Sequence, residues 1–191
     1  MANLITVAQF KTYSSITATT WDTFLTDAVA EASKAVQKYC RKDFARAAYT
    51  EQYTTKSQQR TLQLRQYPVN SVTTIHDDPV RTFGADTLIA AADYYVDKEP
   101  GIIRFDLSLS RGNGNVKVVY NAGYDATSDF GDVPDDVKLA TKKLVGAIFN
   151  KRRSDAQMGD SYGNESYTYD IVITKDVAAL LEQYMSLAES S

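Results

Sequence analysis

Few residues in this chain could do chemistry at neutral pH. His76 is the only histidine and Cys40 the only cysteine among 191 residues. His76-Asp77-Asp78 is the one run that looks like a metal or acid–base site. A zinc centre or hydrolytic site needs three or more groups converging on one point, whereas neighbours at a strand end point to opposite sides. With no second histidine to complete such a set, the run is read as structural. Arg111-Gly112-Asn113-Gly114-Asn115 is glycine-rich, but it lacks the lysine and the strand-to-helix setting of a phosphate loop and reads as a hairpin turn. Cys40 closes an apolar helical stripe, where a thiol packs rather than attacks. No catalytic, metal-binding or cofactor-binding residue is assigned, and the chain is expected to be a non-enzyme.

Composition narrows the classes further. The formal net charge is −3, with 43% hydrophobic and 24% charged residues, the balance of an ordinary globular chain. A protein that grips nucleic acid normally carries a basic excess, so a nucleic-acid-binding regulatory module is the weaker alternative. No apolar run reaches bilayer length, and the start Met1-Ala2-Asn3-Leu4-Ile5-Thr6 lacks the pattern of a secretory leader. The expectation is one domain with an appended arm, made in the cytoplasm and independent of membranes.

The elements that would carry any function follow from periodicity. From Thr20 to Cys40 the apolar positions Trp21, Leu25, Ala28, Val29, Ala32 and Val36 recur at helical spacing, capped by Thr19 or Thr20, with acids early and bases late. A shorter helix is expected over Thr6–Tyr13. The middle alternates instead: strands are expected at 47–56, 59–64, 72–76, 94–96, 102–105 and 116–121, joined by Pro100-Gly101 and by Gly112-Asn113-Gly114-Asn115. Val133-Pro134-Asp135-Asp136 then starts a helix whose buried stripe is Val137, Ala140, Leu144, Ala147 and Ile148, ending at Lys151-Arg152-Arg153. A last helix after Thr174 aligns Val177, Leu180, Leu181, Tyr184, Leu187 and Ala188. The aperiodic stretch Ser154–Asp170 between them reads as a mobile arm. The fold class expected is α+β, mainly helical: a helix bundle in residues 1–153 with a small antiparallel β-subdomain inserted at about 47–121, followed by a flexible segment and docking helix over 154–191.

Several stretches in this order resemble one family. Leu4-Ile5-Thr6-Val7-Ala8-Gln9-Phe10-Lys11 resembles its leading segment. Phe24-Leu25 through Tyr39-Cys40-Arg41-Lys42-Asp43-Phe44 resembles its first long helix. Tyr67-Pro68-Val69 with Val72 and Ile75 resembles the start of one of its strands. Val116-Lys117-Val118-Val119-Tyr120-Asn121-Ala122-Gly123-Tyr124, followed by Val133-Pro134-Asp135-Asp136-Val137-Lys138, resembles its most recognisable stretch. The chain is thus similar to the head–tail connector, or head-completion adaptor, proteins of tailed bacteriophages.

The resemblance implies a virion protein at the capsid vertex: one subunit of a ring, twelve-fold in such proteins, beneath the portal. That ring extends the DNA exit channel and receives a stopper or tail-completion protein, while DNA passes without specific binding. A stopper or tail-completion protein is the alternative within the same neck. Val177, Leu180, Leu181 and Tyr184 are the candidate portal-docking residues, because an apolar stripe on an arm suits a partner's groove. Asp77, Asp78, Asp135 and Asp136 are the candidate channel-facing carboxylates, which would repel phosphate and keep a duplex sliding.

Overall fold

A computed structural model describes residues 2–157 and 173–185. The chain divides into two compact units, one formed by Met1–Lys42 and Val133–Ser186, the other spanning Asp43–Asp132.

The first unit holds the helices α1 (Val7–Ser14), α2 (Asp22–Cys40), α3 (Asp135–Gln157) and α4 (Lys175–Leu181). Thr6 and Gln9 start α1 with a reciprocal capping box, Thr6 Oγ1 accepting from the Gln9 amide at 3.1 Å and Gln9 Oε1 from the Thr6 amide at 2.8 Å. On α2, Leu25, Ala28, Val29, Ala32 and Val36 are buried as the periodicity requires. Trp21 is its N-cap and makes no side-chain capping bond, so neither Thr19 nor Thr20 serves as expected. Instead, the half-buried Trp21 meets the Phe149 ring edge-on at 5.5 Å, which packs the start of α2 against α3. Two polar residues on α2 tie down the leading segment: Ser33 Oγ accepts from the Leu4 amide at 3.1 Å, and Gln37 Nε2 donates to the Ala2 carbonyl at 3.1 Å. Cys40 is fully buried, and burial pushes its thiol up to about 11, which leaves little nucleophilic thiolate at neutral pH.

The second unit overturns the expectation of a mainly helical bundle with a small β-subdomain. Its strands are β1 (Ala47–Thr55), β2 (Thr61–Gln63), β3 (Val69–Asp77), β4 (Tyr94–Asp97), β5 (Ile102–Phe105) and β6 (Gly112–Ala122). They form two three-stranded antiparallel sheets, ordered β1-β6-β3 and β2-β5-β4. Both sheets turn apolar faces into one shared core, with Tyr53, Ile75, Val116, Val118 and Tyr120 from the first and Leu62, Ile103 and Phe105 from the second. That core makes this unit a folding body in its own right and not an appendage of the helices.

Strands β3 and β6 start earlier than the expected 72 and 116. The Gly112–Asn115 run is not a hairpin turn; it opens β6. The register passes from Tyr53↔Val116 to Thr55↔Gly112, so one residue of β1 faces three of β6. Gly114 takes φ 62° inside this bulge and its amide donates to Thr54 Oγ1 at 3.1 Å. At the other end, β3 starts at Val69, immediately after the cis Tyr67–Pro68 bond. Beyond β6, Gly123 takes φ 108° and its Cα passes so close to Ala45 that an added Cβ would lie 2.6 Å from that carbonyl oxygen.

A polar knot fastens this core. Tyr120, 1% exposed, donates its hydroxyl to Glu51 Oε2 at 2.9 Å and accepts from the Gln66 amide at 3.1 Å. Tyr53 donates to the same Glu51 oxygen and accepts from the Arg65 amide at 3.2 Å. Thus β1, β6 and the chain between β2 and β3 meet at one carboxylate. Tyr120→Phe leaves Glu51 and the Gln66 amide short of a partner and should cost about 1–3 kcal/mol in urea denaturation. Burial, reinforced by Glu51, holds the Tyr53 phenol well above its ordinary value of 10.0, and burial with Tyr53 and Glu51 does the same for Tyr120. Burial, with Asp43 and Glu51, pushes Tyr49 up to about 12. Raised folded values favour the neutral phenols, so their contribution is complete below about pH 10 and is lost as pH rises further. The urea midpoint should hold steady through neutral pH and fall above about pH 10; a midpoint unchanged at about pH 11 would show that the phenols are not linked to folding.

Candidate functional site

The sequence-flagged carboxylates fall into two settings. Asp77 ends β3 with both oxygens engaged, Oδ2 accepting from the Ser110 amide at 2.7 Å and Oδ1 from Asn115 Nδ2 at 3.0 Å. Asn115 is fully buried and also donates to Thr55 Oγ1 and the Ser110 carbonyl, both at 2.8 Å. Asp77 therefore braces the end of β3 to the loop before β6, and Asn115 carries the tie on to the end of β1. Sequence reasoning missed Asn115; the available signal was a long polar side chain between bulge glycines and the apolar run of β6.

Asp78 is 3% exposed and builds the next loop around itself. Oδ1 accepts from the Val80 amide at 2.8 Å; Oδ2 accepts from the Thr82 amide at 2.7 Å, the Thr82 hydroxyl at 2.8 Å and the Phe83 amide at 2.7 Å. The Thr82 hydroxyl first, then the backbone donors, hold this carboxyl well below the usual range. His76 faces the same loop, its Nδ1 3.2 Å from the Gly84 carbonyl oxygen and 3.3 Å from Thr87 Oγ1. The carbonyl can only accept, so Nδ1 carries the proton there. Thus His76 and Asp78 serve different parts of one loop while Asp77 serves Ser110 and Asn115, and no polar partner is common to the three. Among the described residues no group of three His, Cys, Asp or Glu side chains is arranged to hold a metal.

Asp135 and Asp136 lie exposed in the first turn of α3, the Asp135 side chain fully so, with Lys138 Nζ at 3.8 Å. Asp136 Oδ2 accepts from Gln183 Nε2 at 3.1 Å, which joins the start of α3 to the turn after α4. Of the four residues assigned to docking, Val177 and Leu181 are buried within the helical unit, whereas Leu180 and Tyr184 are half-buried. Lys143 and Asp176 pair at 3.0 Å between α3 and α4. Leu187, Ala188 and most of the arm expected over Ser154–Asp170 lie outside the described residues. On α3, Val145 and Thr141 are buried while Ala147 is exposed, so the covered stripe is rotated from the expected one.

Apolar side chains stand out from the β unit. Val80 is 77% exposed, Leu107 71% and Tyr95 67%, all in or beside loops or on the short β4.

The head completion protein family matches residues 3–187. This chain belongs to the head completion protein family. As a head completion protein it is a structural part of the virion, and the reading as a head–tail adaptor stands. No curated protein matches it in sequence. Its fold is similar to a chain in the neck of an empty gene transfer agent particle computed with C6 symmetry, with TM-score 0.61 and 17% identity over 100% of this chain and 95% of that chain. A chain in the neck of the native particle computed with C12 symmetry gives TM-score 0.58 and 18% identity with the same coverage. The virion of the native particle supplies a third, at TM-score 0.58 and 17% identity over 98% of this chain and 92% of that chain. At such identities the likeness is one of fold.

The Asp78-centred loop gives this head completion protein a local test. Asp78→Ala should abolish hydrogen-exchange protection at the Val80, Thr82 and Phe83 amides, with protection on β6 unchanged. Retained protection in the loop would show that other contacts hold it.

Proposed function

We propose that this head completion protein is one subunit of a closed ring in the neck of a tailed particle, seated on the portal, continuing the DNA exit channel and presenting a surface to a stopper or tail-completion protein. The observation that carries this reading is the family match over residues 3–187, joined to a fold shared along the whole chain with subunits of symmetric necks. A ring of identical subunits needs heterologous contacts, in which one patch meets a different patch on the neighbour. Val80, Tyr95 and Leu107 are apolar, exposed and suited to such contacts.

Portal docking falls to α4 and the turn after it. Val177 and Leu181 support the helical unit from inside, and the half-buried Leu180 is the position on this stripe from which a partner would be met, with Tyr184 beside it in the turn after α4. The carboxylates proposed for the channel wall are the exposed Asp135 and Asp136; Asp77 and Asp78 are committed to their own loops. The output of the protein is contact and shape, with no bond made or broken.

Electron microscopy of the chain mixed with its portal assembly should reveal a ring of density on the portal. Leu180→Asp should weaken that attachment at least tenfold while leaving the circular dichroism spectrum unchanged. Attachment at full strength in this variant would remove α4 from the docking surface. No ring in the mixture, together with particles whose necks contain no copies of the chain, would overturn the whole reading.

A further inference from the structure

The glycine-rich run that lacks a phosphate loop's lysine in sequence gains one in space. In the register of β1 against β6, Thr55 stands opposite Gly112. Lys56 and Arg111 are the next residues beyond that last pair, one on each chain where the two strands end. Like charges at opposed positions repel and weaken a strand pair. Among the described residues neither cation forms an ion pair with a carboxylate. Asp77, the carboxylate in the adjoining network, already spends its oxygens on the Ser110 amide and Asn115.

The two cations line one open groove of about 640 Å³ with Thr54, Ser57, Gly112 and Asn113. Its framework is fixed from behind. Thr55 Oγ1 donates to the Ser110 carbonyl, the Thr55 amide donates to Asn115 Oδ1 at 3.3 Å, and Thr54 Oγ1 takes the Gly114 amide at 3.1 Å. The Lys56 amide is held by Gln59 Oε1 at 3.0 Å, so the backbone carrying the lysine is also anchored. A groove lined by two cations and a serine, beside a bulge whose glycines leave backbone uncovered, suits an oxyanion.

We infer that this groove, with Lys56 and Arg111 as its cations, binds the phosphate backbone of duplex DNA. The inference rests on the proposed neck role only for the presence of DNA beside the protein. The contact is sequence-independent, since it touches no base edge, and it is weak, since the rest of the chain is net acidic. One such groove per subunit, offset by carboxylates elsewhere, would hold a duplex in register without stopping its passage.

Fluorescence anisotropy of the full chain with a labelled duplex of about 20 base pairs at about 20 mM salt tests this directly. The wild type should bind, with affinity falling as salt rises. Lys56→Gln with Arg111→Gln should weaken binding at least tenfold and flatten the log–log salt slope by about 1.8, as expected for two lost cationic contacts. Lys34→Gln with Lys38→Gln removes the same charge from the exposed face of α2. That variant should stay within about twofold of wild-type affinity, because counterion release depends on which cations meet phosphate and not on net charge alone. In parallel, inorganic phosphate is titrated while the Ser57, Gly112 and Asn113 amide resonances are followed. Absence of duplex binding, equal loss in both double variants, or phosphate binding without duplex binding would each overturn the inference. Because the measurement needs no particle, it can fail while the ring is found, or succeed while it is not.

Discussion

Much of the β unit depends on one carboxylate shared by two buried phenols. Tyr120 sits on the middle strand of its sheet with its ring in the core, and its hydroxyl can be buried only because Glu51 and the Gln66 amide satisfy it. Tyr53 meets the same carboxylate from β1. The arrangement sets three things at once: the facing of β1 on β6, the path of the chain between β2 and β3, and the depth to which both rings enter. Apolar packing alone would tolerate small slips among these. A hydrogen-bonded cluster in a low-dielectric core tolerates far fewer.

The same economy appears in the loops. Where the chain must leave the sheet, it is shaped by polar side chains that turn back onto their own backbone. Asp78 gathers the amides of Val80, Thr82 and Phe83, and Asp77 reaches across to Ser110 and Asn115. These loops carry or adjoin Val80 and Leu107, the most exposed large apolar side chains described. A structural protein whose work is contact gains from loops that are held in place before a partner arrives, since less ordering entropy then opposes association.

The location of nearly every element was legible in the sequence, because helices and strands differ in the period at which apolar residues recur. All six strands and both long helices lie where Leu25, Val29 and Val36, or Val116, Val118 and Tyr120, place them. What could not be read was proportion. Periodicity finds strands one at a time, whereas the shared core of two sheets arises from residues far apart in the chain, such as Leu62 with Tyr120. The Gly112–Asn115 run misled for a different reason: glycine and asparagine serve tight turns and strand bulges alike, and only the partner strand decides between them. Of the site residues, the exposure of Asp135 and Asp136 followed from helix-start chemistry. The inward commitment of Asp78 did not, because its partners are backbone amides that carry no signature in side-chain type.

One small feature bears on how such a protein survives before assembly. Beyond β3, Leu88 forms an isolated bridge with His76, and the Ile89 amide donates to the Ile75 carbonyl at 2.8 Å. This short stretch lies along the outer rim of the sheet and occupies backbone groups that would otherwise template another extended chain. A bare rim invites identical copies to zip together into fibres. By covering this part of the rim with its own backbone, the molecule leaves less of it open to end-to-end stacking.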